Sequence, residues 1–225
     1  MSEKEGTVCK QNFGSSLKGL IFSSILIKMK EAAEEGREIF MNKEAPMAEQ
    51  AILLVHFGTS RIDALKKALW AIERETRAAY PDWEVRGAFA NKILLQILQQ
   101  RGIPLQLAPE ALDALKDEGC RRIIIQPTYV VRGGEYEKLQ SLAEQYRRQF
   151  VQLVVGRPLL FSTEDIQEIC CFCAGKFPRK VEEALVLMGH GASHSAGTIY
   201  ETMSSLISEM GFERIFLGVT EGSPD

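Results

Sequence analysis

An α/β fold with parallel sheets flanked by helices is predicted by three features of this 225-residue chain. From Gln50 onward, short β-branched runs alternate with amphipathic stretches, the rhythm of strand-helix-strand units. The first run, Ala51 to Phe57, is almost continuously apolar, as expected of a strand that helices cover on both faces. The glycine turn behind it, Gly58-Thr59-Ser60, is mirrored at Gly191-Ala192-Ser193 behind a second apolar run. That mirror predicts an internal duplication and two similar lobes.

In order, Gly58-Thr59-Ser60 leads into a helix in which Ile62, Leu65, Leu69 and Ile72 recur at helical spacing. Tyr80-Pro81-Asp82 ends it, and Glu84 to Phe89 makes the second strand. Helices over Asn91 to Gln100 and Pro109 to Glu118 follow, the latter with proline in its first turn, then the strand Arg122 to Pro127. A helix over Glu135 to Gln149, a strand over Gln152 to Gly156, and a helix over Ser162 to Cys173 complete the first lobe. Ser162 suits an N-cap ahead of Asp165. After a connection at residues 176–180 the pattern restarts with a buried strand over Ala184 to Met188, a helix over Thr198 to Met210 and a strand over Arg214 to Val219. The expected divisions are therefore residues 1–48 as an amino-terminal extension, 49–178 as the first lobe, and 179–225 as the start of an incomplete second lobe. Gly58 and Gly191 lie 133 residues apart, whereas 34 residues follow Gly191.

The extension carries a short apolar run, Gly19 to Ile27, too short to span a bilayer, and the Lys28-Met29-Lys30-Glu31 behind it is not a small-residue cleavage site. A helix over 16–40 in a cytoplasmic protein is the expectation, with no membrane partner. A net charge of -3 provides no global basic field, which argues against nucleic acid as a partner. The five cysteines are an odd set without two C-x-x-C motifs that could pair, so a reducing compartment fits. Cys170-Cys171-Phe172-Cys173 reads as core thiols in an apolar stretch, with a soft-metal site as the alternative. Neither a P-loop nor G-x-G-x-x-G follows the first strand, which weakens a nucleotide-binding reading.

Two of the three histidines lie in Met188-Gly189-His190-Gly191-Ala192-Ser193-His194, at the carboxyl end of an expected parallel strand, where open α/β sheets place ligands. Glycines beside His190 permit close approach, and a neutral imidazole ligates cobalt, nickel, iron or zinc. The plainer alternative is a histidine that only hydrogen-bonds within a turn. His56 lies on the equivalent strand, but aligning the glycine turns sets Phe57 opposite His190, so His56 is expected in the core or behind a site. Gln126 to Lys138 leaves a strand through glycines into a helix and brings Glu135 to another carboxyl end. That glutamate suits either a proton acceptor or a first-turn acid favoured by the helix dipole.

Together, Leu53 to Ser60, Gln126-Pro127-Thr128 with Gly134 to Lys138, and Met188 to His194 resemble the segments of the anaerobic sirohydrochlorin cobaltochelatases, the CbiK type, in order and spacing from about Ala51 onward. The resemblance implies a fold of two ferrochelatase-like lobes, the second incomplete here. It also implies insertion of Co2+ into sirohydrochlorin, a tetrapyrrole, in anaerobic cobalamin biosynthesis. His190 then corresponds to a metal-binding histidine and Glu135 to the active-site glutamate. Cobalt is the substrate metal, Ni2+, Fe2+ and Zn2+ are alternatives, and no organic cofactor is implied. Arg61, Arg132 and Lys138 are candidates by position for the substrate carboxylates, with solvated surface roles as the alternative. The family's second metal-binding histidine belongs to a glycine-aspartate-histidine segment that this sequence does not reach. Tyr129 stands where family members often carry histidine, and residues 1–48 have no recognised counterpart. A non-catalytic tetrapyrrole or metal carrier, or an inactive chelatase fragment, is therefore the alternative reading. A homo-oligomer is left open.

Overall fold

A computed structural model of the chain describes residues 49–176, 182–191 and 197–221. The helix expected over 16–40, most of the connection after Lys176, and Ala192, Ser193 and His194 lie outside the described residues. Contacts between Cα atoms divide the chain into two compact units. Among the described residues, one unit holds 49–130 and 134–159, and the other holds 131–133 and everything from Leu160 onward.

The larger unit is built on four parallel strands: β1 (Gln50–His56), β2 (Glu84–Phe89), β3 (Arg122–Pro127) and β4 (Gln152–Val155). Their order is β2-β1-β3-β4, so the most apolar run becomes an interior strand, paired Leu54 to Gly87 on one side and Leu54 to Gln126 on the other. Ala51 through Val55 are fully buried, as an interior strand with both faces covered requires. Ile52, Leu54, Val85 and Ile124 form one cluster with Ile72, Tyr80 and Trp83 packed against it. Leu65, Phe89, Leu95 and Leu98 form another. Each such aliphatic side chain contributes about 1.5–3 kcal/mol on burial.

Helix α1 opens as Ile62–Ala64, widens into a π-helical stretch over Leu65–Leu69 and continues as Trp70–Ala79. The regular spacing of its apolar residues predicts an uninterrupted α-helix, and the widened turn is a departure from it. Trp70 N–H bonds Leu65 O five residues back, which sets Trp70 on the side of Leu65 and lets both pack in the second cluster. Helix α2 (Lys92–Gln100) begins at Asn91, whose Oδ1 accepts from Leu94 N–H at 3.0 Å. In α3 (Ala108–Asp117), Glu110 reaches back to the Leu107 amide at 2.8 Å. Helix α4 (Gly134–Tyr146) runs into a 3-10 turn over Arg147–Gln149 ahead of β4.

The smaller unit holds α5 (Thr163–Lys176), β5 (Leu185–Gly189), α6 (Gly197–Glu209) and β6 (Ile215–Val219). The expected cap of α5 is present: Asp165 N–H donates to Ser162 Oγ at 3.3 Å, and Ser162 N–H donates to Asp165 Oδ2 at 2.9 Å. Strands β5 and β6 pair in parallel from Leu185–Ile215 to Gly189–Val219. The run Ala184 to Met188, expected to be buried, is covered on one face only. Side chains alternate along it, and Val186 and Met188 are 59% and 69% exposed beside an exposed Phe216, while Tyr200, Met203 and Ile207 of α6 are buried. Among the described residues, no helix is long and apolar enough to cross a membrane.

Candidate functional site

The carboxyl end of β5 presents His190. Its neighbours must be glycine for two different reasons. A side chain at Gly189 would run into the ring of Tyr200, which packs beneath the strand end. Gly191 has φ +87°, and a Cβ there would overlap the Glu221 carbonyl. The chain leaves the strand at His190 with the histidine side chain exposed. One residue beyond β6, Thr220 N–H donates to Gly189 O at 3.1 Å, and Thr220 Oγ1 donates to His190 O at 2.7 Å. The same oxygen lies 3.3 Å from His190 Nδ1. Glu221, the next residue, is exposed and packs its main chain against Gly191.

The two strand-helix-strand units repeat this geometry. In the larger unit Ala90 N–H donates to His56 O at 3.0 Å, the counterpart of Thr220 to Gly189, and Gly58 has φ +99° as Gly191 has +87°. Phe57 consequently occupies the position of His190, one residue past the strand, and it is exposed. His56 is the last strand residue, paired with Phe89 and fully buried. Its Nδ1 lies 2.9 Å from Thr128 Oγ1 and its Nε2 lies 3.3 Å from Glu73 Oε1. A carboxylate only accepts, so Nε2 carries hydrogen and the ring is held within the core. Glu73 also meets Arg77 at 3.4 Å.

Glu135 sits in the first turn of α4, in the larger unit, with its side chain 36% exposed and its Oε1 2.6 Å from Lys138 Nζ. The exit of β3 that leads to it is fixed by Gln126, whose Nε2 donates to Pro127 O at 2.8 Å and Arg157 O at 3.0 Å. Only a glycine at 156 leaves room for that amide. Tyr129 is buried and its hydroxyl has no partner among the described residues, and burial followed by the charge of Glu135 pushes its ionisation well above the ordinary tyrosine range. The other positional candidates divide. Arg61 is solvated, with Asp63 at 3.8 Å; Arg132 stacks over the Phe161 ring at 5.6 Å; and Lys138 is held by Glu135.

Cys170 and Cys173 are buried on one side of α5, and burial raises both thiols, Cys170 to about 11. They are core residues. Among the described residues, no three histidine, cysteine or carboxylate side chains converge as a metal cage. A cleft of about 810 Å3 opens beside β2 between Trp70, Glu73, Arg77 and Arg86, and none of the candidate residues lines it. Thr220 and Glu221 escape a motif search because nothing local marks them. The signal that finds them is the parallel register, which sets Val219 opposite Gly189 and so brings the next two residues to the histidine turn.

The architecture is that of an α/β chelatase. SirB from Bacillus subtilis, solved with Fe3+, shares the fold with a TM-score of 0.55 over 79% of this chain and 68% of that one, at 16% identity. The family model for cobalt chelatase (CbiK) matches residues 50–225, and the chain belongs to that family. It is 32% identical over 179 residues to a sirohydrochlorin cobaltochelatase of Salmonella typhimurium, and 29% identical over 182 residues to sirohydrochlorin cobaltochelatase CbiKC of Nitratidesulfovibrio vulgaris. Each alignment takes in 79% of this chain, and the chain spans 67% and 64% of those relatives.

Proposed function

We propose that this chain provides the metal-handling part of a cytoplasmic sirohydrochlorin cobaltochelatase, which inserts Co2+ into the macrocycle on the way to cobalamin. The observation that carries this reading is His190, exposed at the carboxyl end of a parallel strand between two glycines that no other residue could replace without steric overlap. Metalation requires the cation to exchange water for four ring nitrogens and two pyrrolic protons to leave. His190 holds the incoming Co2+ through its imidazole. Glu135, a partly exposed carboxylate at a strand exit, accepts protons and passes them to solvent. Glu221, beside the histidine turn, adds an oxygen donor for the same cation. In this reading residues 49–178 form the first lobe, and β5, α6 and β6 begin the second.

The test is an absorbance time course of sirohydrochlorin with Co2+, using the chain, His190→Ala, Glu135→Gln and a no-protein control. Acceleration by the chain is expected to be lost in His190→Ala and to fall by about 10²-fold or more in Glu135→Gln, the scale of general acid-base catalysis. Acceleration unchanged in either variant refutes that residue's role. Binding of Co2+ or macrocycle without acceleration by the folded chain would replace the enzyme with a carrier.

A further inference from the structure

We propose that Thr220 is a positioning residue that sets the tautomer of His190, keeping hydrogen on Nδ1 and leaving the Nε2 lone pair for a divalent cation. The inference rests on the reading of His190 as a cobalt ligand. A threonine hydroxyl has a single hydrogen to give. Thr220 Oγ1 stands 2.7 Å from the His190 carbonyl oxygen, which can only accept, so the hydrogen is committed there. Its 3.3 Å contact with Nδ1 is then made by the hydroxyl oxygen as acceptor, and Nδ1 must be the donor. A neutral imidazole with hydrogen on Nδ1 carries its lone pair on Nε2, the atom that a cation can reach from solvent. Outer partners orient metal-binding histidines in this way.

Two further observations support the assignment. The hydroxyl is anchored, because Thr220 N–H continues the β5–β6 ladder to Gly189 O at 3.1 Å and the β-branched side chain has few rotamers. In the repeated unit Ala90 makes the same backbone bond to His56 O at 3.0 Å, yet it has no hydroxyl, and there the position of His190 is taken by Phe57. The hydroxyl is present in the copy that has an imidazole at this position, and missing from the copy that has a phenyl ring there.

The experiment is 15N NMR of histidine-labelled, metal-free chain at a pH well above the ordinary histidine range, with His190 assigned from a His190→Ala variant. Only three histidines contribute signals. His190 is expected to carry hydrogen on Nδ1 in the wild type and in Thr220→Ser, and to shift toward the Nε2–H form in Thr220→Val. Titration with Co2+ is expected to give affinity about tenfold weaker for Thr220→Val and restored in Thr220→Ser, the lower end of outer-partner effects on metal sites. Hydrogen on Nε2 in the wild type overturns the proposal, whether or not Thr220→Val folds. An unchanged tautomer in a folded Thr220→Val does the same. If the tautomers behave as expected but Co2+ leaves the His190 signals unbroadened, the cobalt reading of His190 fails while the assignment of Thr220 stands.

Discussion

Replacing Gly191 by alanine tests whether the histidine turn is held by steric necessity, and Gly211→Ala is its internal control. Both glycines have positive φ, +87° and +71°, so alanine costs each about 1–2 kcal/mol of left-handed strain. A Cβ at Gly211 meets nothing within 4 Å. At Gly191 it meets the Glu221 carbonyl, and the strand exit must move. That movement breaks the bonds from Thr220 to Gly189 O and to His190 O, each worth about 0.5–1.5 kcal/mol net. Gly191→Ala should therefore cost about 1–3 kcal/mol more than Gly211→Ala by the same hydrogen-bond values. At about 2–4 °C per kcal/mol for a chain of this size, the melting temperatures should separate by several degrees. Urea and thermal unfolding measure the difference, and a Co2+ titration should show weakened binding for Gly191→Ala alone. Equal stability loss in the two variants, with equal Co2+ affinity, would refute the argument that Glu221 and Gly191 lock the turn.

Two further outcomes follow from the buried groups. His56→Leu should destabilise the larger unit by about 1–3 kcal/mol, because Thr128 and Glu73 each lose a buried partner, while Co2+ affinity per folded molecule is unchanged; urea unfolding and calorimetric titration check both parts. Cys170 is raised by burial from the ordinary 9.0 to about 11, so its contribution to stability is intact below pH 9 and is lost as pH rises toward 11. Iodoacetamide labelling at pH 8 should leave Cys170 unmodified in the folded chain and modify it in urea. Rapid labelling of Cys170 under native conditions would contradict a core role.

Periodicity along the chain sufficed for the parallel α/β architecture and for the separation of His56 from His190, and the local Ser162-Asp165 spacing for the cap of α5. Counting back from the two glycine turns sets Phe57 opposite His190, and matching backbone bonds from Ala90 and Thr220 realise that alignment. These features are legible because side-chain direction alternates with a short period that neighbouring residues record. The π-helical turn at Leu65–Leu69 is not, since it answers to packing of Trp70 in a cluster that α2 also supplies. The exposed face of β5 and β6 is likewise a matter of which helix packs where, not of the apolar run itself. Thr220 and Glu221 lie about thirty residues from His190, and only strand pairing brings them to its turn. Periodicity tells which way a residue points; what it meets there depends on segments distant in sequence, whose approach is set by hydrogen-bond register and close packing.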